Sequence, residues 1–329
     1  MIRSLFVVMI AVLPLTPSAG DYSPLDLPTQ SKGVRDLIAD LTTADAVVRT
    51  QAACELRKLG DGAAEAIQPL VSMLGDPAPV QSSVCGRHSW RGAADDLTSP
   101  GEQAAAALVA IGTRAFQPVM GALRGPVWTA RRNAAWALGA FDDQRAVSAL
   151  IETLKDSEPA VREQAAWALG ALDDSSALDG LTAALKDSDP RVRRQAAWAL
   201  GVIDDARAAS ALSTALGDVD DRTREQAAWA LGVIDDAAAV PPLLRALGDK
   251  ADPVRKQAAW ALGVIDDARA VDGLIRALSD GSSGVREQAA WALGVIGDPR
   301  AVPSLLPSLK DANASVRKQA AWAIGVIGK

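Results

Sequence analysis

Trp136, Trp167, Trp198, Trp229, Trp260, Trp291 and Trp322 follow one another at a constant interval of 31 residues, each inside a near-copy of Gln-Ala-Ala-Trp-Ala-Leu-Gly. A fixed period of about 20–50 residues marks a solenoid, because a unit too small to bury its own apolar face has to stack on its neighbours. The period runs through almost everything after residue 34. Length therefore counts repeats here, and one elongated array is expected rather than several separate cores.

Within one unit the apolar pattern resolves into two helices. Val271, Leu274, Ile275 and Leu278 fall on one face of a first helix; after a polar break at 279–284, Val285, Ala289, Ala292, Leu293 and Ile296 fall on one face of a second. Asp266-Asp267, ahead of Arg269-Ala270-Val271, offers a cap oxygen to the first helix. Pro159, Pro190 and Pro253 stand where the first turn of the second helix needs no N–H. The Ala- and Leu-rich composition, with one Tyr and three Phe, suits closely approaching helices, and strands are not expected.

The net charge is −6 and the pI about 5.0, so no basic stripe exists to neutralise phosphates, and nucleic acid is not an expected partner. At the N-terminus, Arg3, an apolar run from Leu5 to Leu15 and Ser18-Ala19-Gly20 form the three parts of an export signal. Residues 1–20 are expected to be a signal peptide and 21–33 a linker, with the solenoid occupying 34–329. The apolar run is too short to span a bilayer comfortably, and no Cys follows it to take a lipid, so stable membrane insertion is not expected. An uncleaved N-terminal anchor is the rival reading. Export to a periplasm or the medium would let Cys54 and Cys85 form a disulfide, the alternative being two free buried thiols.

The segments Val254-Arg255, Ala258-Ala259, Ala261-Leu262-Gly263, Ile265 and Arg269-Ala270-Val271 resemble HEAT repeats, of the short HEAT-like type found in phycobilin lyases and in designed consensus repeat proteins. The resemblance covers residues 34–329 and implies an all-α, right-handed α-solenoid (an armadillo/HEAT-like superhelix) of about nine helical hairpins, with the second helices lining its concave side. It also implies that Arg162, Arg193, Arg224, Arg255, Arg286 and Arg317 pair with loop aspartates. For function it implies a binding scaffold and little about the partner.

Two departures from the period stand out. In the first two repeats Cys54 and Ala106 occupy the Trp position. Their wider separation places an insertion at about 77–100, holding Cys85, His88 and Trp90, between the two helices of repeat two. The chain stops at Ile327-Gly328-Lys329 without a polar closing helix. Either the sequence is a fragment, or the open flank meets another chain in a head-to-head homodimer.

At about 100° per residue, Trp260 lies roughly 140° from the core residues of its own helix, beside Lys256, Gln257 and Val264. Packed helices are 8–10 Å apart, so a wet indole ladder stepping by about 10 Å is expected. Three readings compete. The indoles stack on their neighbours and only stiffen the rod; or they form, with Gln164, Gln195, Gln226, Gln257, Gln288 and Gln319, a groove for an extended polypeptide; or they stack on a glycan. A polyproline-II peptide advances about 9.3 Å per three residues, close to the helix spacing. The pairing of Trp with an amide looks like the ladder of armadillo proteins, with Gln in place of Asn. The charges just before each Gln alternate without exception, through Arg132, Glu163, Arg194, Glu225, Lys256, Glu287 and Lys318. Inter-repeat ion pairs are the expected use of that row, a charge-patterned ligand the alternative.

No catalytic constellation is legible. A single His cannot supply the repeated His-Glu pairs of the HEAT-like deoxyhypusine hydroxylases or a His-rich zinc site. Cys85 and His88 lack a residue to orient the His. The Asp-Asp pairs recur at helix starts, where capping accounts for them. No cofactor is expected. The reading is an exported, non-catalytic scaffold that binds an extended polypeptide or protein partner through Trp and Gln, with an extracellular glycan binder as the rival.

Overall fold

The structure is a computed structural model that describes residues 32–85 and 97–328. The signal-peptide reading, His88 and Trp90 fall outside the described residues. Among the described residues nine helical hairpins stack in sequence order. The first helices of the hairpins are α1 (Val34–Asp40), α3 (Ile67–Met73), α5 (Thr113–Ala122), α7 (Val147–Thr153), α9 (Leu178–Ala184), α11 (Ala209–Ala215), α13 (Val240–Ala246), α15 (Val271–Ala277) and α17 (Val302–Leu305). The second helices are α2 (Ala46–Leu59), α4 (Pro100–Ile111), α6 (Trp128–Ala140), α8 (Pro159–Leu172), α10 (Pro190–Ile203), α12 (Asp221–Ile234), α14 (Asp252–Ile265), α16 (Ser283–Ile296) and α18 (Ala314–Ile327). The all-α solenoid expected from the period is the observed fold.

The second helices pack directly on one another along the whole stack, whereas successive first helices meet mainly through the short 3-10 turns ahead of them. The second helices thus form one continuous layer, the side that the HEAT-like resemblance makes the concave one. The core lies between the layers: Val161, Ala165, Ala166, Ala168 and Leu169 of α8 are fully buried, as are Leu150 and Leu181 of the flanking first helices. Alanine dominates because it lets helix backbones approach with no loss of helix propensity.

Each inter-helix corner uses its Asp-Asp pair in two ways. The second Asp caps: Asp205 accepts from the Arg207 N–H at 2.9 Å and Asp267 from the Arg269 N–H at 2.8 Å, each opening a 3-10 turn that runs into the first helix. The first Asp serves the other helix end, as the C-cap of the second helix at Asp173, Asp204, Asp235 and Asp266. Asp142, Asp173, Asp204, Asp235 and Asp266 take the left-handed conformation at the end of the second helix, with φ of 51–54°. In the eighth repeat Gly297, φ 70°, stands at that corner, the usual residue for such a bend.

The insertion in repeat two contains two paired strands, β1 (Val80–Gln81) and β2 (Leu97–Thr98), antiparallel with Val80 opposite Thr98. This corrects the expectation of no strands: runs of two residues carry no periodicity to read. Cys85, beside β1, is disulfide-bonded to the buried Cys54 of α2, with Cα atoms 5.6 Å apart, so the insertion is tied back to the first repeat. In the last hairpin the first helix is broken, α17 giving way to a 3-10 turn over Pro307–Lys310, because Pro307 supplies no N–H to continue it.

Candidate functional site

Each second helix leaves one ridge facing away from the core. In α8 it comprises Ala160, Glu163, Gln164, Trp167 and Ala171; in α14 it comprises Pro253, Lys256, Gln257, Trp260 and Val264. These positions step by three or four, the spacing of one helix face. Because the second helices form the inner layer, the ridges lie side by side along the concave surface.

The indoles are not left fully wet, as helix geometry alone suggested. Trp136, Trp167, Trp198, Trp229, Trp260 and Trp291 are half-buried, and Trp322 is 42% exposed. From Trp167 onward the cause is the glycine of the Ala-Leu-Gly segment in the preceding repeat. A β carbon added at Gly170 would lie 2.7 Å from Cζ3 of Trp198, and one at Gly201 would lie 2.7 Å from Cζ3 of Trp229. At Gly263 the distance to Trp291 is again 2.7 Å, and at Gly294 the distance to Trp322 is 2.5 Å. From Trp167 onward each indole rests one corner in a notch that only glycine leaves open, and Trp136 through Trp291 pack against the core with part of their surface left to solvent. The sequence reading missed the glycines; their strict recurrence three residues after Trp was the available signal.

The amides beside the indoles are unoccupied. Among the described residues, the side chains of Gln164, Gln195, Gln226, Gln257, Gln288 and Gln319 make no hydrogen bond within the protein, and all are partly exposed. In repeats two and three the corresponding polar groups are tied up internally. Gln103 donates to Thr98 Oγ1 at 3.0 Å, and its Oε1 accepts from Arg57 at 3.4 Å. Asn133, in the Gln position of repeat three, is buried and donates to the Leu74 carbonyl at 2.8 Å. The open stretch of ladder therefore begins at α8.

The alternating charge row behaves differently from expectation. Arg132 pairs with Glu102 of the preceding repeat at 3.0 Å and lies over the Trp128 ring, 5.8 Å from its centroid. Glu163, Arg194, Glu225, Lys256, Glu287 and Lys318 form no ion pair among the described residues. Their position on the helix turns them from the junction between repeats toward the groove, and an exposed pair spanning neighbouring helices gains too little to hold two long side chains extended.

Inter-repeat ion pairing is carried instead by the arginine one position earlier. Arg193 donates from Nε and Nη2 to the Asp218 carboxylate at 2.7 and 2.8 Å, and from Nη1 to the Asp187 and Ser188 carbonyls at 2.9 and 3.2 Å. Arg162–Asp187, Arg224–Asp249, Arg255–Asp280 and Arg286–Asp311 repeat this arrangement, as do Arg49–Asp76 and Arg131–Asp156, which the sequence reading did not include. Arg317 differs: it donates to the Asp311 and Ala312 carbonyls and forms no ion pair with a carboxylate among the described residues. Burial alone would raise the Asp218 carboxyl, but the hydrogen bond from Arg193, the Asp220 N–H and the guanidinium charge together hold it below the ordinary carboxylate value. Asp187 and Asp249 are held low by the same balance.

Among the described residues no group of three or more His, Cys, Asp or Glu could hold a metal ion, and no helix is long and apolar enough to cross a membrane.

Comparison with known proteins places this geometry. The family model for HEAT repeats matches residues 116–188, 178–263 and 248–325. No curated protein sequence matches. Among solved structures, an engineered protein is 21% identical with a TM-score of 0.50, covering 90% of this chain and 99% of its own. YibA of Escherichia coli is 20% identical with a TM-score of 0.60, covering 84% of this chain and 95% of its own. Kap95p, solved with RanGDP, is 15% identical with a TM-score of 0.65; the match takes in 89% of this chain and 47% of Kap95p. These likenesses support the fold, and the three family-model matches together span most of the array: the chain belongs to the HEAT-repeat family.

Proposed function

We propose that this protein is a non-catalytic binding scaffold that holds an extended polypeptide along the concave ridge formed by α8, α10, α12, α14, α16 and α18. One observation carries the reading: six glutamine amides, without internal partners among the described residues, alternate with partly exposed indoles in unbroken register. An amide matches the donors and acceptors of a peptide backbone, and an indole face matches proline and aliphatic side chains. HEAT repeats typically serve as protein-interaction scaffolds, and Kap95p binds Ran in the structure compared above. The notches under the indoles show that Trp also stiffens the stack, so the tryptophans serve packing and recognition together.

Export to an oxidising compartment belongs to the same proposal, supported by the Arg3-led apolar N-terminus and by the Cys54–Cys85 disulfide. A homodimer through the last repeat is also proposed: Leu306, Trp322 and Val326 are exposed there, and a strictly monomeric protein at high concentration in ultracentrifugation contradicts it.

Titration of intrinsic tryptophan emission with proline-rich peptides and with oligosaccharides tests the main reading. Saturable change with peptides alone supports it. Change with sugars alone replaces it with a glycan-binding role, and no change with either leaves the ladder purely structural.

A further inference from the structure

Among the described residues Glu163, Arg194, Glu225, Lys256, Glu287 and Lys318 take part in no ion pair or side-chain hydrogen bond, Glu163 acting only at a distance on Arg191. None of the six makes an ion pair, while the neighbouring arginines satisfy the junctions between repeats. Each stands directly before a groove Gln and one helical turn before a groove Trp, so each charge lies on the same ridge as the proposed contacts. The one step at which the alternation is consumed internally is Glu102–Arg132, where Gln103 and Asn133 are also internally bonded. Charge and amide thus become free together, from α8 onward.

We infer that the groove selects a polypeptide whose own charges alternate in sign at every third residue. This rests on the recognition reading above. In a polyproline-II strand, residues three apart point the same way and lie about 9.3 Å apart, which matches helices packed 8–10 Å apart. A ligand carrying a cation, two prolines, an anion and two prolines in turn sets each charge opposite one of the row, cation to Glu163 and anion to Arg194. The same row repels a uniformly acidic or uniformly basic strand at every second step. Alternation specifies register as well: sliding the ligand by one repeat sets like charges against like, and the next favourable position is two repeats away.

Fluorescence anisotropy with three labelled peptides of equal length tests this. One has Glu and Lys alternating between proline pairs, one has the same residues grouped into an acidic half and a basic half, and one has Gln at every charged position. At low ionic strength the alternating peptide is expected to bind at least tenfold more tightly than the other two, and the advantage is expected to shrink strongly in 1 M salt. The variant E225Q/K256Q/E287Q should keep its melting temperature, since those side chains have no internal partners, and should bind the alternating and neutral peptides alike. Equal affinity of the wild-type protein for all three peptides overturns the charge proposal and leaves the groove intact. No binding of any peptide overturns both.

Discussion

Trp260 rests Cζ3 of its indole over Gly232 of the preceding repeat, where an added β carbon would come within 2.6 Å of the ring and 2.8 Å of Ala261 Cβ. Backbone and indole press on this glycine from two sides, so neither can yield alone. Gly232→Ala is expected to destabilise the protein by about 1–3 kcal/mol in urea unfolding, even though Ala is the better helix former by about 1 kcal/mol. Gly325 occupies the same position in α18 with nothing within 4 Å of its would-be β carbon. Gly325→Ala is therefore expected to stabilise by roughly 0.5–1 kcal/mol. Equal effects at the two sites would refute the notch.

Asp218 and Arg193, with side chains 10% and 11% exposed, form one rung of the inter-repeat ladder. Asp218→Asn leaves the guanidinium without its counter-charge and is expected to cost about 2–3 kcal/mol. Arg193→Lys removes the paired geometry and the carbonyl contacts together, and should also destabilise. Both are read by chemical unfolding at neutral pH.

Acid sensitivity follows from the same rungs. The carboxyls of Asp187, Asp218 and Asp249 have folded pKa values below the ordinary one. Their stabilisation is fully present above about pH 4, the unfolded value, and is lost as pH falls through the lower folded values. Thermal unfolding followed by circular dichroism should show a melting temperature that drops steeply below pH 4, with a shallower drop in Asp218→Asn.

Asp204 holds φ at 51° at a corner where Gly297 serves in the eighth repeat. Burial, then the charges of Asp235, Asp173 and Asp205, raise its pKa above the ordinary carboxylate value. A raised folded pKa means that the folded state loses stability as pH rises from the unfolded value toward the folded one. Asp204→Gly relieves both the backbone and the charge. A gain of about 0.5–1 kcal/mol from the backbone is expected, larger at pH 7 than at pH 3 in urea titrations.

The all-α solenoid of stacked hairpins was legible because a strict 31-residue period admits no other arrangement of Val161, Leu169 and their copies. The Arg–Asp ladder followed from family resemblance for Arg162 to Arg286, whereas Arg49, in a degenerate repeat, and Arg131, hidden by the Arg131-Arg132 doublet, were missed, and Arg317 forms no such pair among the described residues. What helix geometry could not deliver was the depth of the indoles. A wheel gives the direction of Trp260 from its own axis but not the notch that Gly232, in another helix, opens beneath it. The fate of Glu163 and Arg194 was equally hidden, since alternation in sequence does not say whether two side chains can meet across neighbouring helices. The paired strands at Val80 and Leu97 are too short to leave a pattern.

Because the tryptophans also pack the stack, the glutamines offer the cleaner test of recognition. Gln195, Gln226 and Gln257 have no internal hydrogen bonds, so their joint replacement by Ala should leave the melting temperature unchanged. Isothermal titration of the wild-type and Q195A/Q226A/Q257A proteins with one proline-rich peptide is the direct measurement. Saturable binding by the wild type, weakened at least tenfold in the variant at equal thermal stability, is expected. Identical isotherms, or no heat from either protein, would contradict recognition through the inner ridge.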